Sequence, residues 1–456
     1  MTTVDDTLRH ALTTIRRLRQ QNADLTAAAD QLDQPIAIVG AGFRLPGGAD
    51  NPDSLWQVLT ADTDAVRPLP TDRWAHLDFS AFGPAAAGAT GWAGVVDDVT
   101  GFDTDFFGIS DREATLMDPQ QRLALELTWE AIERSGWTLP DLQADVTGVI
   151  LGVAHQDYLF TAMVAEPGIG THLGAGNARS IIANRVSYLL GLTGPSLAVD
   201  TACSSSLMAI HLACQSLRTG EADRMFAGGV NLILSPLSTA VTGRALPLAP
   251  DGRCKALADG ADGMVRAEGA GVVALRRLPD AVRDADPILG VILATGTNQD
   301  GRTNGLTAPN PVAQSRLLTT TLNRARLTPP DVTYVEMHGT GTPLGDPIEV
   351  EGIIGAYGAP AAPTCWLGSA KATFGHLESA AGVTSLIKVL EVLRRRQIPG
   401  QVNIERLNPE IRLDGTRFRV PSTVTDWSTA PGTTRAAGVS SFGFGGSNVH
   451  LIVQEP

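Results

Sequence analysis

The sequence predicts an α/β fold in which helices cover both faces of the sheets. Residues 146–153 and 224–234 are continuous apolar runs, a pattern typical of strands buried on both faces. Stretches with apolar residues at helical spacing alternate with these runs. Because the alternation begins again after residue 280, we expect two similar halves, residues 34–280 and 281–456, preceded by a separate segment, residues 1–33.

Composition narrows the class of protein. The 456 residues are 43% hydrophobic, enough for a large core, and the net charge is −13 without basic stretches interleaved with aromatic residues. Nucleic acid is therefore not an expected partner. The four cysteines form no CxxC pair, so we expect neither a disulfide framework nor a metal site. No signal peptide or apolar run of membrane-spanning length is found, which indicates a cytoplasmic protein without a membrane anchor.

The first 33 residues lack glycine and proline and carry a heptad pattern. Leu8, Ile15 and Asn22 take position a, and Leu18 and Leu25 take position d. A buried asparagine at position a favours a parallel dimer in a fixed register. The alternative is an ordinary surface helix packed on the body, which would not explain why Asn22 lies on the apolar stripe.

The remaining elements follow from caps and apolar runs. The strand at 36–39 leads into glycines without GxGxxG spacing, which excludes a dinucleotide site of that type. Asp118 and Pro119 have the character of an N-cap and a first helical residue, and Gly136 ends that helix. Further along, we expect strands at 146–153, 197–199, 224–234, 269–275, 288–294 and 332–336, and helices at 178–190, 311–325 and from about 376 to 395.

Cys203 lies where the strand at 197–199 gives way to small polar residues and then to a helical pattern. Unpaired backbone N–H groups and the dipole at a helix N-terminus favour a thiolate, so we expect a lowered pKa and a nucleophilic thiol. The alternative is a buried cysteine that serves only as a small apolar side chain.

Two histidines have chemically suggestive neighbours. His338 follows the strand at 332–336 and precedes Thr340 and Thr342, at a position where α/β enzymes hold ligands. His376 is expected at the N-terminus of a long helix, which lowers its pKa and keeps the ring neutral. Lys371 precedes it by five residues and could supply a positive charge. The alternatives are a core histidine and a surface lysine.

A glycine-rich turn around Phe444, in residues 438–448, can direct backbone N–H groups at one point, as an oxyanion hole requires. An ordinary structural turn is the alternative. His211 is expected to be a packed core residue. We expect no functional role for the remaining histidines, which have no supporting neighbours in the sequence: His10, His76, His155, His172 and His450.

Four motifs in this order resemble the ketosynthase domain of modular type I polyketide synthases. They are the sequence around Cys203, the sequence His338 to Thr342, Lys371 with Gly375 and His376, and the turn from Phe442 to Gly446. The resemblance extends from about Ile36 to the last residue. It implies a thiolase fold, with two halves in a five-layer αβαβα sandwich, and a homodimer. The N-terminal heptads are similar to the docking coiled coils of these synthases.

The same resemblance implies roles for the residues. Cys203 would accept an acyl chain, and His338 and His376 would promote decarboxylation of a malonyl-type extender whose enolate attacks that chain. Lys371 would organise the histidines, and the backbone N–H groups of Cys203 and Phe444 would form the oxyanion hole, with Phe444 also controlling access. Thr340 and Thr342 would contact phosphopantetheine.

The resemblance further implies partners and alternatives. Acyl carrier proteins would deliver both substrates on phosphopantetheine, no cofactor would bind the chain directly, and an acyltransferase domain is expected next to it, so the sequence is expected to be an excised domain. The product pathway would be antibiotic biosynthesis. The alternatives are a docking module that only transfers acyl chains and a thiolase-type acyltransferase; the latter uses a second cysteine, and neither Cys254 nor Cys365 lies in a suitable turn.

Overall fold

The structure is a computed structural model that describes residues 9–10, 12–21, 33–75, 77–79, 91–165, 170–430 and 432–456. Of the predicted coiled-coil positions, Leu8, Asn22 and Leu25 lie outside the described residues. Ile15 and Leu18 lie on a helix, and their side chains are exposed. The exposed apolar side chains are compatible with a seam, and the coiled coil stays a prediction.

The bounds of the strands and helices follow the chain in order. The strands are β1 Ile36–Arg44, β2 Val66–Pro68, β3 Trp92–Gly94, β4 Thr147–Gly152, β5 Ser196–Val199, β6 Arg224–Asn231, β7 Gly269–Arg277, β8 Gly290–Gln299, β9 Val332–Glu336, β10 Cys365–Gly368, β11 Gln397–Ile398, β12 Phe418–Arg419, β13 Thr425–Asp426, β14 Ala436–Phe442 and β15 Ser447–Gln454. After the N-terminal helix, the α-helices are α1 Pro52–Thr60, α2 Thr104–Phe107, α3 Asp111–Leu116, α4 Pro119–Ser135, α5 Leu139–Ala144, α6 Asp157–Ala165, α7 Leu173–Asn177, α8 Ile181–Leu190, α9 Ser205–Thr219, α10 Pro236–Ala245, α11 Leu278–Arg283, α12 Pro311–Arg324, α13 Gly345–Tyr357, α14 Lys371–Phe374 and α15 Ala381–Arg395.

The two halves have the same strand topology. The first half has the order β5-β4-β6-β7-β1, and the second has the order β10-β9-β14-β15-β8. In both, the first three strands of this order are parallel and the last two are antiparallel to their neighbours. The halves join through a short antiparallel pairing of Ile36–Ile38 in β1 with β8. The predicted duplication is therefore confirmed at the level of topology.

The helices form the other three layers of the sandwich. Helices α9 and α15 share one core with the inner faces of both sheets. Helices α4 and α8 cover the outer face of the first sheet, and α12 and α13 cover the outer face of the second. The central helices approach closely because Gly382 has no side chain: a Cβ there would lie 2.5 Å from Cγ of Leu207. The five-layer thiolase architecture is confirmed.

Local sequence explains the elements that were predicted well. Asp118 accepts a hydrogen bond from the backbone N–H of Gln120, Pro119 occupies the first helical position of α4, and Gly136 ends it in the left-handed region at φ +72°. In β1, Ile36 and Ile38 face the central core while the alternate residues face the outer core. The period-2 alternation therefore buries both faces of the strand.

The repeated topology places the candidate residues at one end of the sandwich. Cys203 lies in the connection from β5 to α9, and His376 lies in the corresponding connection of the second half, from β10 to α15. His338 follows β9, and Phe444 lies in the turn between β14 and β15. Among the residues described, we find no helix that combines the length and the apolar character needed to cross a membrane.

Candidate active site

Cys203 lies in a strained turn at the start of α9. The preceding residue, Ala202, has φ +56°, in the left-handed region that non-glycine residues rarely adopt. The surrounding hydroxyls hold the turn: Ser205 Oγ donates to the carbonyl of Ala202 at 2.6 Å, and Ser204 Oγ donates to the carbonyl of Thr201 at 2.9 Å. Small hydroxyl residues follow the cysteine because they bond the backbone of this turn.

The glycine-rich turn between β14 and β15 packs directly on this nucleophile turn. Ser441 Oγ donates to the carbonyl of Cys203 at 2.7 Å. A Cβ on Gly443 would lie 2.4 Å from the carbonyl oxygen of Thr201, so only glycine fits there. The backbone N–H groups of Phe444 and of Cys203 itself both contact the thiol. Two donors therefore converge beside the sulfur, in the arrangement an oxyanion hole requires.

The predicted lowering of the Cys203 pKa is wrong. Burial raises the pKa of this thiol to about 12, and the carboxylate of Glu378 acts in the same direction. The charge of Lys371 and the two N–H groups oppose the shift without cancelling it. Desolvation of a thiolate in a closed pocket outweighs the partial charge of a helix terminus, so the resting form is the thiol.

Hydrogen bonds to both its backbone and its ring hold His338 in place. The N–H groups of His338 and Gly339 donate to the two carboxylate oxygens of Glu349 at 2.7 and 2.8 Å. The ring nitrogen Nδ1 accepts the backbone N–H of Phe442 at 3.3 Å. Burial, together with Lys371 and His376, lowers the pKa of His338 well below its usual value. The neutral ring therefore carries its proton on Nε2.

His376 has the same tautomer by a different route. Its Nδ1 accepts the backbone N–H of Glu378 at 3.1 Å, which leaves the proton on Nε2. The two imidazole rings lie 5.5 Å apart between centroids in an edge-to-face arrangement. No described residue hydrogen-bonds the Nε2 of His376. The site therefore holds two neutral imidazoles as N–H donors.

The predicted cause of the neutral state of His376 needs correction. Helix α15 begins at Ala381, after a short 3₁₀ turn, so His376 does not lie in its first turn. Burial lowers the pKa of His376 to about 3, and the charge of Lys371 is the next contribution. The ring is neutral because it is desolvated beside a cation, and the helix terminus is not needed to explain it.

Lys371 lies behind the two histidines and not on the cavity surface. Its side chain is buried, and within the described residues its Nζ has no hydrogen-bond partner. Burial lowers the pKa of Lys371, while Glu336 and Glu349 act in the opposite direction. The alternative of a surface lysine is excluded, and its charge acts on both rings.

Most of the predicted site residues line one cavity of about 140 Å³. Cys203, His338, His376 and Phe444 line it, together with both predicted threonines. Thr340 Oγ1 and Thr342 Oγ1 lie 3.3 Å apart. Thr342 also lines an outer vestibule of about 810 Å³ that shares several wall residues with the inner cavity. Phe444, which lines the inner cavity, is 47% exposed.

Several residues of the site were not predicted from the sequence. Glu349 lines the cavity and holds the His338 loop, and the spacing of eleven residues gave no local signal of this contact. His155, for which no role was expected, contacts the carboxylate of Glu378. His450 is also partnered, by Tyr357 and Ser440 in the core. His211 is a buried residue hydrogen-bonded to Thr295, as expected.

The chain matches three family models that together cover almost all of residues 33–456. One, described as "Beta-ketoacyl synthase, N-terminal domain", matches residues 33–281. A second, "Beta-ketoacyl synthase, C-terminal domain", matches residues 289–405, and "Ketoacyl-synthetase C-terminal extension" matches residues 408–456.

Relatives and solved structures agree with these matches. One polypeptide of the phenolphthiocerol/phthiocerol polyketide synthase of Mycobacterium tuberculosis is 47% identical over 440 residues, which cover 94% of this chain and 28% of the relative. Another polypeptide of the same synthase is 47% identical over 427 residues, 92% of this chain and 23% of the relative. The chain thus spans about a quarter of the length of the curated relatives it matches.

Among solved structures, an oxazolomycin ketosynthase domain from Streptomyces albus has a TM-score of 0.86 and 38% identity, covering 93% of this chain and 74% of that chain. The ketosynthase from module 6 of the bacillaene synthase of Bacillus subtilis has a TM-score of 0.84 and 38% identity, covering 92% of this chain and 72% of that chain.

Proposed function

This chain belongs to the beta-ketoacyl synthase family, and we propose that it elongates polyketide chains by decarboxylative Claisen condensation. The observation that carries the proposal is the cavity in which Cys203 meets two neutral imidazoles whose Nε2–H groups have no hydrogen-bond acceptor among the residues described. A nucleophile alone would suit acyl transfer. Two additional N–H donors suit a reaction that builds negative charge on a thioester oxygen.

The first step is acyl transfer to Cys203. Its sulfur attacks the thioester carbonyl of a carrier-bound acyl chain, and the carrier thiol leaves with the proton that Cys203 loses. The N–H groups of Cys203 and Phe444 stabilise the tetrahedral oxyanion. Because the resting group is a thiol with a raised pKa, the proton must leave as the carbon–sulfur bond forms.

The second step is decarboxylation of a malonyl-type thioester. Carbon dioxide leaves, and the electron pair of the broken bond becomes an enolate whose oxygen carries the charge. The Nε2–H groups of His338 and His376 donate to that oxygen, and both rings stay neutral while doing so. A carboxylate leaves more readily as carbon dioxide when the resulting anion has fixed donors in a pocket with little water.

The third step joins the two chains. The enolate carbon attacks the acyl carbonyl on Cys203, and the oxyanion formed there occupies the same two N–H donors. Collapse releases the Cys203 sulfur as a thiolate, which takes a proton from solvent, and the β-ketoacyl thioester leaves on the extender carrier. Burial, together with the charge of Lys371, keeps both imidazoles unprotonated throughout.

The vestibule fits a long substrate arm. Its walls include Thr342, and Thr340 lines the inner cavity 3.3 Å from Thr342 between the hydroxyl oxygens, so both hydroxyls can hydrogen-bond the amides of phosphopantetheine. We propose that an acyl carrier protein presents this arm at the vestibule. Phosphopantetheine is then part of the substrate, and the chain itself binds no cofactor.

A homodimer is part of the proposal. Strand β5 lies at the outer edge of the sheet of the first half and, within the described residues, pairs only with β4. Leu197 of this strand and Tyr188 of α8 are exposed. An unpaired edge with exposed apolar side chains can be covered by the same edge of a second copy.

The N-terminal heptads would add a parallel coiled coil that docks to an upstream synthase polypeptide. An acyltransferase domain is expected beside this one.

The proposal is tested by separating loading from condensation. Wild-type protein should acquire the mass of an acyl group on Cys203 from an acyl thioester, and His338→Ala should acquire it as well. Only the wild type should then form a β-ketoacyl product with a malonyl thioester. Equal product from both proteins would exclude the role of His338, and acylation of a Cys203→Ala protein would exclude the nucleophile. The retained His338 and its hydrogen bonding count against a module that only transfers acyl chains.

A further inference from the structure

A buried polar cluster lies next to His376 but outside the cavity. The carboxylate of Glu378 accepts hydrogen bonds from Arg266 Nε at 2.5 Å and Arg266 Nη2 at 3.3 Å. His155 Nε2 contacts the second oxygen of the same carboxylate. Arg266 is itself held by Ser238 and Thr239 at 3.0 and 2.7 Å. All three members are distant in sequence and come from different connections of the sandwich.

The backbone of Glu378 is strained. Its φ is +47°, in the left-handed region, although it is neither glycine nor asparagine. This conformation directs the N–H of Glu378 back to Nδ1 of His376, two residues earlier, while its side chain extends to Arg266 and His155. A strained residue persists only where its surroundings hold it, and here the surroundings are the guanidinium and the imidazole that occupy both carboxylate oxygens.

The segment that carries Arg266 also holds the backbone of His376. The N–H of His376 donates to the carbonyl of Val265 at 2.6 Å, and its carbonyl accepts the N–H of Ala267 at 2.8 Å. Arg266 therefore lies opposite His376 in a parallel bridge. Residues 265–267 therefore hold the backbone of His376, and the N–H of Glu378 holds its ring at Nδ1.

The repeated topology gives His155 a notable position. It lies three residues after β4, and His338 lies two residues after β9, the corresponding strand of the second half. One histidine lines the cavity, and its counterpart contacts the carboxylate that supports the other cavity histidine. Burial disfavours the charged form of both groups, but the neighbouring charges outweigh it: Arg266 lowers the pKa of Glu378, and Glu378 raises the pKa of His155.

We infer that Glu378, clamped by Arg266 and His155, is a positioning residue that locks His376 in the tautomer with its proton on Nε2. Without the clamp, the left-handed conformation of Glu378 loses its support and its N–H no longer occupies Nδ1. The ring of His376 can then exchange tautomers or rotate, and its donor to the enolate oxygen is lost for part of the time. The effect on catalysis rests on the proposed function, whereas the effect on the tautomer does not.

The test uses Glu378→Gln, which keeps the shape of the side chain and removes its charge. Nitrogen NMR of protein labelled with ¹⁵N-histidine distinguishes the two neutral tautomers, and the signal of His376 is assigned by its loss in His376→Asn. We expect a mixture of tautomers in the variant where the wild type shows only the Nε2–H form. Condensation should fall roughly 10–100-fold, the loss seen when the partners that orient metal-bound histidines are removed. Acylation of Cys203 should not slow.

A second variant and a control keep the result clear. His155→Ala removes one partner of the carboxylate at a partly exposed site, and should shift the same NMR signal and lower condensation to a smaller extent. The control is Asp286→Asn, which breaks a comparably buried ion pair with Arg276, at 2.8 Å, on a different part of the chain. It should change neither the NMR signal of His376 nor the rate of condensation.

The outcomes separate the inference from the proposed function. A pure Nε2–H tautomer with unchanged condensation in both cluster variants would overturn the inference. So would an equal loss of acylation and condensation with the tautomer unchanged, because that result indicates a merely structural role. If the wild type itself does not condense, the proposed function fails, and the tautomer measurement still decides the inference. If Glu378→Gln does not fold, His155→Ala decides it.

Discussion

The neutral state of the two cavity histidines leads to a prediction about pH. An exposed histidine with a pKa near 6.5 is about 90% neutral at pH 7.5 and about 3% neutral at pH 5, a fall of roughly 30-fold. Burial and Lys371 lower the pKa of His376 to about 3, and that of His338 well below its usual value. At pH 5 the ring of His376 should remain about 99% neutral.

The sign follows from the direction of the shifts. A lowered pKa means that the protonated form is reached only at lower pH. A change from pH 7.5 to pH 5 should therefore leave the donor of His376 intact, and His338 should be protonated only well below the pH at which an exposed histidine is. NMR of ¹⁵N-histidine-labelled protein is the decisive assay, because protonation makes both ring nitrogens donors and shifts both signals. His338→Asn and His376→Asn identify the signals of the two rings.

A rate profile alone would not decide the matter. Burial raises the pKa of Asp346 to about 6 and of Glu349 to about 7, and both line the same cavity. A loss of condensation at acidic pH could therefore come from either carboxylate. Protonation of the ring of His376 with a midpoint between pH 5 and 8, or of the ring of His338 with a midpoint at or above about 6.5, would refute the reasoning about burial and the charge of Lys371.

Three further predictions follow from the structure. Alkylation of Cys203 by iodoacetamide, measured on its peptide by mass spectrometry, should accelerate about tenfold per pH unit from pH 6.5 to 9.5 without a plateau. The reason is that burial raises the pKa of the thiol to about 12. A plateau below pH 8 would contradict this. Gly382→Val should lower the free energy of unfolding by about 1–3 kcal/mol, because the new side chain overlaps Leu207 between α9 and α15. Gly174→Ala is the control, since a Cβ there meets no atom within 4 Å. Equal thermal midpoints for the two variants would contradict the close approach of α9 and α15. Deletion of residues 1–33 should weaken acyl transfer from the upstream polypeptide and spare activity on small soluble thioesters; equal loss of both activities would contradict the docking role.

Elements defined by local signals were predicted closely. The strand at 332–336 is β9 with the same bounds, and the helix from Pro119 to Gly136 follows its cap residues. The nucleophile turn was also predicted in place, because hydroxyl and small residues that bond their own backbone are visible in the sequence around Cys203. Such features depend on contacts within a few residues of each other.

Features that depend on burial or on distant partners were missed. The sequence places Cys203 at a helix start but does not reveal that the sheet ends and the β14–β15 turn enclose it, and enclosure reverses the expected direction of its pKa shift. His155 and Glu378 are 223 positions apart, and nothing near either of them indicates the contact. The sequence predicts two similar halves but not their identical strand order, which is a property of pairing between distant strands.

The central claim is that Cys203 holds an acyl chain until an enolate takes it. The most direct measurement is a chase experiment: protein acylated on Cys203 and freed of excess thioester is mixed with a malonyl thioester, and the acyl-enzyme, carbon dioxide and product are followed together. The account predicts that the acyl group leaves Cys203 with one equivalent of carbon dioxide and one of β-ketoacyl thioester, and that it remains bound in His338→Ala. Release of the acyl group as a free acid, or its transfer to a thiol without loss of carbon dioxide, would contradict the account.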